Sequence, residues 1–385
     1  MRSSLKIFTW FGIPVHLHWS FGFIFLLALW IGFTNNFTPL GTAWLVGYFI
    51  AVFGCVLLHE YGHALMARHY GVRTQDIILT PIGGIARLER MPEKPVQEFF
   101  VAIAGPLVNV VIAILLFGLA ALIFQGERWM LFNWFLEQYL SFGGEEDMSG
   151  VMDGDGLPTA WFLYFFTLLL VTNIILVLFN LIPAFPMDGG RILRSLLSIQ
   201  MGRVRATQMA ALLGQGIAVL FVFVGVTGLW GFGFTLALIG FFVFITARTE
   251  NAMVRLDALL RGYKARDLMR PQFARLSAND WMQTPVTMLQ QGLERHFLVF
   301  DLEDHLVGIL EEPQILAALK KRDLTAEIAQ YMSPNVKIVH LEQGLEHIYH
   351  LVQSGSGILA VAEEGEIVGV IDQAGLQNFL RINAR

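Results

Sequence analysis

The sequence predicts a mainly α polytopic membrane protein, with about six transmembrane helices and a membrane-associated β-hairpin, followed by a C-terminal α+β domain. Three observations predict it. Hydrophobic residues make up 55% of the 385 and charged residues only 15%, with a mean hydropathy of +0.58, whereas about one quarter of an ordinary soluble chain is charged. The apolar residues gather in runs long enough to cross about 30 Å of hydrocarbon. Past about residue 264 those runs stop and a repeat begins.

The apolar runs fall at 16–33, 43–67, 98–124, 160–182, 208–230 and 232–247. Arg2 and Lys6 precede the first run, but no small-x-small cleavage site follows it, so it is expected to be a retained helix and not a signal peptide. His16 and His18, beside Trp19, are expected to anchor its start at the membrane interface. The third run is expected to kink at Pro106, and the last two are joined by a short turn at Gly231. Between the second and third runs, Asp76 to Leu88 reads as a hairpin turning at Gly83-Gly84.

Loop charges orient these helices. Arg68, Arg73, Arg87, Arg90 and Lys94 fall in 68–97. Arg191, Arg194, Arg203 and Arg205 fall in 189–206, and Arg248, Arg255, Arg261, Lys264 and Arg266 in 248–266. By the positive-inside rule these segments are cytoplasmic. Segment 125–159 has Arg128 against Glu127, Glu137, Glu145, Glu146, Asp147, Asp153 and Asp155, and is expected outside. Six crossings reproduce the alternation with both termini and the C-terminal domain in the cytoplasm.

Composition also excludes classes of function. A net charge of −5 gives no basic excess for nucleic acid. The single cysteine, Cys55, rules out an intramolecular disulfide and is read as packing within the second apolar run. His296, His305, His340, His347 and His350 share no ligand spacing, so no metal is assigned to them.

The second run contains His59-Glu60-Tyr61-Gly62-His63. Histidines four apart project from one helix face and can share one metal, and the glutamate beside the first can handle a proton. Ionisable groups at membrane depth cost about 2.5–3.5 kcal/mol each on insertion scales, so they mark function more often than chance. A catalytic zinc usually takes three protein ligands and a water. The best third ligand is Asp188, in Asn180-Leu-Ile-Pro183-Ala-Phe-Pro186-Met-Asp188-Gly189, where prolines and glycines break an apolar helix. Irregular backbone at depth is tolerated only where protein or a wet cavity covers it.

With both motifs in place, the chain resembles the site-2 protease family of intramembrane zinc metalloproteases, whose second signature N-x-x-P-x-x-P-x-D-G is matched from Asn180 to Gly189. The resemblance covers about residues 1–250. The appended C-terminal domain, and the lack of room in 125–159 for a PDZ domain, are similar to the sporulation-protease-like branch. It implies Zn2+ held by His59, His63 and Asp188, and Glu60 as the proton-handling residue. It implies further that Asn180 contacts substrate backbone or oxyanion, although a cap for the broken helix is the alternative reading. The hairpin, with Gly83, Gly84 and Ile85, is suited to receive an unwound substrate by strand addition. The substrate implied is a transmembrane or membrane-associated protein, in regulated proteolysis and in contact with membrane lipid. A transporter would need ionisable groups along several helices, whereas here they concentrate in two motifs; a catalytically dead scaffold would not need His59, Glu60, His63 and Asp188 intact.

In the tail, Met269-Arg-Pro271 recurs as Met332-Ser-Pro334, and Leu306-Val-Gly308-Ile-Leu as Ile367-Val-Gly369-Val-Ile. This resembles a CBS domain pair, a regulatory module that often binds adenine nucleotides and can form a homodimer. The Ser/Thr-x-x-Asp of such pairs would fall on Glu311-Glu-Pro-Gln314 and Asp372-Gln-Ala-Gly375, and neither fits. Nucleotide sensing and a packing role therefore both stay open. The expected division is a metalloprotease domain at 1–250, a linker at 251–264 and a CBS pair at 265–385.

Overall fold

The computed structural model describes residues 4–383 except 82, 93, 141–157, 230–232, 293 and 356. The acidic stretch from Glu145 to Asp155 and the turn at Gly231 lie outside the described residues. The chain forms two compact units, Met1–Asn251 and Ala252–Arg385.

The first unit opens with strands β1 (Ser4–Trp10) and β2 (Ile13–His18), then helices α1 (Gly22–Thr34) and α2 (Pro39–His69). Strands β3 (Thr74–Thr80) and β4 (Gly83–Leu88) follow, then helices α3 (Pro95–Ile123), α4 (Glu127–Leu140), α5 (Pro158–Asn180), α6 (Asp188–Met201), α7 (Arg203–Thr227) and α8 (Phe234–Gly262). Among the described residues five helices are long and apolar enough to cross a membrane: α2, α3, α5 from Phe162, α7 and α8. The expected first span is shorter than its apolar run. His16 to His18 belong to β2, and α1 itself has 13 residues, about 20 Å at 1.5 Å per residue. The reason is packing. Ile13, Val15, Phe21 and Ile24 share a core with Tyr61, Ala64, Ile77 and Leu79, so the sheet already lies beside the second half of α2, and α1 covers only the remaining distance.

The expected hairpin is part of a four-stranded sheet in the order β1-β2-β3-β4. β2 runs parallel to β3, with Val15 opposite Ile77, and β3 pairs antiparallel with β4. Gly83 and Gly84 are not the turn: they open β4, opposite Thr80 and Leu79. His16 belongs to the sheet, where its Nδ1 lies 3.0 Å from Asp76 Oδ2. Asp76 is also ion-paired to Arg87. The Arg87 hydrogen bond holds its carboxyl below the usual carboxylate range against the opposing effect of burial, and His16 adds to the lowering. His18 Nδ1 accepts from Ser20 N and caps the short turn before α1.

In the second unit each repeat has the order strand, helix, strand, strand, helix. After a short helix α9 (Ala265–Leu268), the first comprises β5 (Arg275–Ser277), α10 (Gln283–Gln290), β6 (His296–Phe300), β7 (Leu306–Glu311) and α11 (Glu312–Lys321). The second comprises β8 (Ile338–His340), α12 (Leu345–Gln353), β9 (Ile358–Glu363), β10 (Glu366–Asp372) and α13 (Gln373–Asn383). In both sheets the first strand is parallel to the second and the third antiparallel to it. The Met-Pro lead-ins are exchanged: Arg270 bridges to Val370 of the second repeat, and Ser333 to Ile309 of the first. Leu298, Phe300, Ile309, Ile358, Ala360 and Val370 form a core shared by the two repeats. The repeat seen in the sequence thus folds as two similar α+β halves around one shared core. Segment 251–264 is not a free linker. It stays helical through Gly262, and Leu260 is buried among Ala265, Val339 and Leu345.

Candidate active site

α2 begins with Pro39 in its first turn and Thr38 as cap, whose Oγ1 accepts from Gly41 N at 3.2 Å. Its continuous apolar sequence carries His59 and His63 one turn apart, 7% and 6% exposed. Asp188 reaches the same point from the first turn of α6, just after the loop that follows α5. That loop is held from within: Ala184 and Met187 pack with Ala218 and Val243, and Phe185 packs with Ala210, Ala211 and Ala247. Arg194, one turn and a half into α6, is fully buried; it donates from Nε to Glu98 of α3 at 2.8 Å and is also paired to Glu250 of α8. Asp188 is thereby fixed from three sides.

The three ligand candidates converge. His59 Nε2 and His63 Nε2 lie 3.1 Å apart, and Asp188 Oδ2 is 3.2 Å from the first and 3.1 Å from the second. His63 Nδ1 lies 2.7 Å from the carbonyl of Val101. A carbonyl can only accept, so Nδ1 carries the proton and Nε2 presents a lone pair. His59 Nδ1 lies 2.6 Å from Asn109 Oδ1. Gly105 of α3 faces both rings; a methyl group there would overlap His63 and come within 2.7 Å of His59 Nε2. Buried lone pairs and a carboxylate aimed at one point repel unless a cation joins them. Two imidazoles and one carboxylate, with room left by a glycine, form a donor set that suits Zn2+ with an open position.

Glu60 stands beside this cluster and outside it. Its Oε2 accepts the Ala86 N–H of β4 at 3.0 Å, and Gly84 lies against its side chain so closely that a methyl group would strike Cγ. A cavity of about 370 Å³ opens here, lined by Glu60, His63, Gln75, Ala86, Arg87, Leu88, Arg90, Met91, Val101 and Arg191. Gly83 and Ile85 do not line it. Asn180 closes α5 and makes no side-chain hydrogen bond among the described residues, so the capping alternative gains no support. The sequence did not disclose Val101, Gly105, Asn109 or Arg191 as neighbours of the metal cluster. Only the crossing of α3 over α2 shows which residues of Ala104-Gly-Pro106-Leu-Val-Asn109 meet the imidazoles.

The chain is similar in sequence to several known proteins. The profile of peptidase family M50 matches residues 47–224, which contain both ligand motifs. Zinc metalloprotease MJ0392 of Methanocaldococcus jannaschii is 29% identical over 389 aligned residues, covering 99% of this chain and 97% of the relative. The solved site-2 protease from Methanocaldococcus jannaschii is 33% identical, covering 64% of this chain and 95% of that one, with a TM-score of 0.42. The CBS domain pair of protein MJ0100, solved with 5-methylthioadenosine and S-adenosyl-L-methionine, covers 31% of this chain at 18% identity and a TM-score of 0.29. The chain belongs to peptidase family M50, the family of the site-2 proteases.

Proposed function

We propose the following roles within this intramembrane zinc metalloprotease. His59, His63 and Asp188 hold Zn2+, and the observation that carries the reading is the convergence of their three lone-pair donors within 3.2 Å of one another. Zinc, when bound, supplies Lewis acidity that brings the pKa of a water toward neutrality and polarises a carbonyl. Glu60 takes a proton at its carboxylate and delivers it to the leaving amine. The Ala86 N–H orients that carboxylate through the bond to Oε2.

A helical substrate has its peptide bonds tied up and must be unwound before attack. β4 is the sheet edge nearest Glu60, and Gly84 lies on the side of the strand from which Ala86 donates. A substrate strand laid along it gains backbone hydrogen bonds. Gly83 and Ile85 shape this strand, and Asn180 is available for substrate backbone. The substrate is a transmembrane or membrane-adjacent protein, and the arginine distribution supports an orientation with the sheet end of α2, both termini and the tail in the cytoplasm.

The division of labour is a protease at 1–250 and a regulatory tail from 265. In the tail, Gly375 has no side chain to offer a ribose, and Gln314 Oε1 is committed to the Glu311 N–H at 2.7 Å. These facts favour dimerisation or docking over adenine nucleotide sensing. Calorimetry with ATP, ADP and AMP decides between them: heat at millimolar ligand supports a sensor, and its absence with a dimer in solution supports assembly. The protease reading is tested by co-purifying substrate with the Glu60→Gln protein and mapping the cut that wild type makes in liposomes. A cut within or beside an apolar segment is expected. A cut confined to water-soluble domains far from the bilayer would contradict it.

A further inference from the structure

A line of side chains behind His59 runs away from the metal cluster through two other helices. Resting on the ligand assignment above, we propose that Asn109 of α3 and Asn173 of α5 are positioning residues that hold the proton of His59 on Nδ1 and leave Nε2 bare for the metal.

The direction of every hydrogen bond in the line is determined from its far end. Asn173 lies 2.8 Å from the backbone carbonyl of Leu169, which can only accept, so the group facing it is the amide nitrogen. The amide oxygen of Asn173 therefore faces Asn109, 2.9 Å away, and receives the Asn109 Nδ2–H. That leaves Asn109 Oδ1 toward His59 Nδ1 at 2.6 Å. An amide oxygen carries no proton, so Nδ1 of His59 must donate. Asn109 and Asn173 are both fully buried, and the hydrogen bonds of the line are made between protein groups. The remaining proton of Asn173 points to Cys55 Sγ at 3.5 Å, one turn before His59, which gives this buried cysteine a partner.

The two histidines thus reach the same tautomer by different routes. His63 gives its Nδ1 proton to a backbone carbonyl, Val101, which no side-chain substitution removes. His59 depends on two amides contributed by other helices. An outer partner that fixes tautomer and ring orientation typically contributes about 10–100-fold to metal affinity. The alternative is that the asparagines only hold three helices together by interhelical hydrogen bonds.

Full-length protein, purified in detergent and titrated with a graded chelator, separates these readings when residual zinc is measured by mass spectrometry. Asn109→Leu keeps the volume and removes the acceptor; its zinc affinity should fall by about 10–100-fold. Asn109→Asp keeps an acceptor oxygen toward His59 while its other oxygen faces Asn173 Oδ1, so it should hold zinc more tightly than Asn109→Leu but less tightly than wild type. Asn173→Leu lets the Asn109 amide rotate and should fall between them; it carries the test if Asn109→Leu does not fold. Melting of the metal-stripped proteins is the structural control. The proposal is overturned if Asn109→Leu retains zinc like wild type, or if Asn109→Asp loses it as fully as Asn109→Leu. If wild type carries no zinc, or His59→Ala keeps it, the ligand assignment itself fails.

Discussion

Gly105 occupies a place that no larger residue fits, because α3 crosses α2 there and any Cβ meets the Nε2 atoms of both histidines. Gly105→Ala is therefore predicted to remove zinc and activity together while α2 and α3 persist, measured by metal content and circular dichroism. A Gly105→Ala protein with wild-type zinc would show that the donor atoms do not meet where Gly105 faces them. Asp76 gives a prediction in pH. Its carboxyl is lower in the folded state than in the unfolded chain, so its stabilisation is complete above the unfolded value of about 3.9 and is lost as pH falls through the folded one. The melting difference between wild type and Asp76→Asn should shrink as pH falls from about 5 to below about 4. A difference that grows on acidification would contradict the sign. At this scale the sequence disclosed His59, Glu60, His63 and Asp188, because a four-residue spacing on a helix and a proline-broken span are local signals. It hid Gly105, Asn109 and Asn173, whose roles exist only where three helices cross.

Elements were legible where their pattern was unambiguous and misread where an apolar strand ran into an apolar helix. β1 is exposed along nearly its whole length, without the alternation of a half-buried strand, and its partners in the sheet, through β2, lie some sixty residues away at β3. So residues 16–18, which belong to β2, read as the start of a helix. The same sheet shows what β4 does. Ala86→Pro removes the N–H that holds Glu60 and should lower cleavage with zinc retained. Loss of zinc in that protein would mean that β4 supports the ligands and not the carboxylate. α6 gives a prediction in stability. Arg194→Met leaves Glu98 buried without its partner, which should cost about 3–5 kcal/mol. Adding Glu98→Met should restore part of that loss, and chemical denaturation in detergent measures both.

For the whole molecule, the charge alternation and the internal repeat were visible in the sequence because both are long-range patterns of composition. The helix 234–262 was not read to its end, since its last turns carry Arg255, Asp257 and Arg261 and look like a polar linker while Leu256 and Leu260 pack inward. Each unit has its own core, so removal of residues 265–385 is predicted to leave zinc bound to the first unit and to change cleavage rate or substrate choice. Zinc content and turnover of the truncated protein check this. The central claim is that three side chains bind zinc and a fourth, Glu60, moves the proton. Its most direct measurement is zinc stoichiometry and cleavage, side by side, in wild type, Glu60→Gln, His59→Ala, His63→Ala and Asp188→Ala. Glu60→Gln should keep wild-type zinc and lose cleavage, while the other three lose both. Undiminished cleavage by Glu60→Gln, or full zinc in Asp188→Ala, would contradict the account.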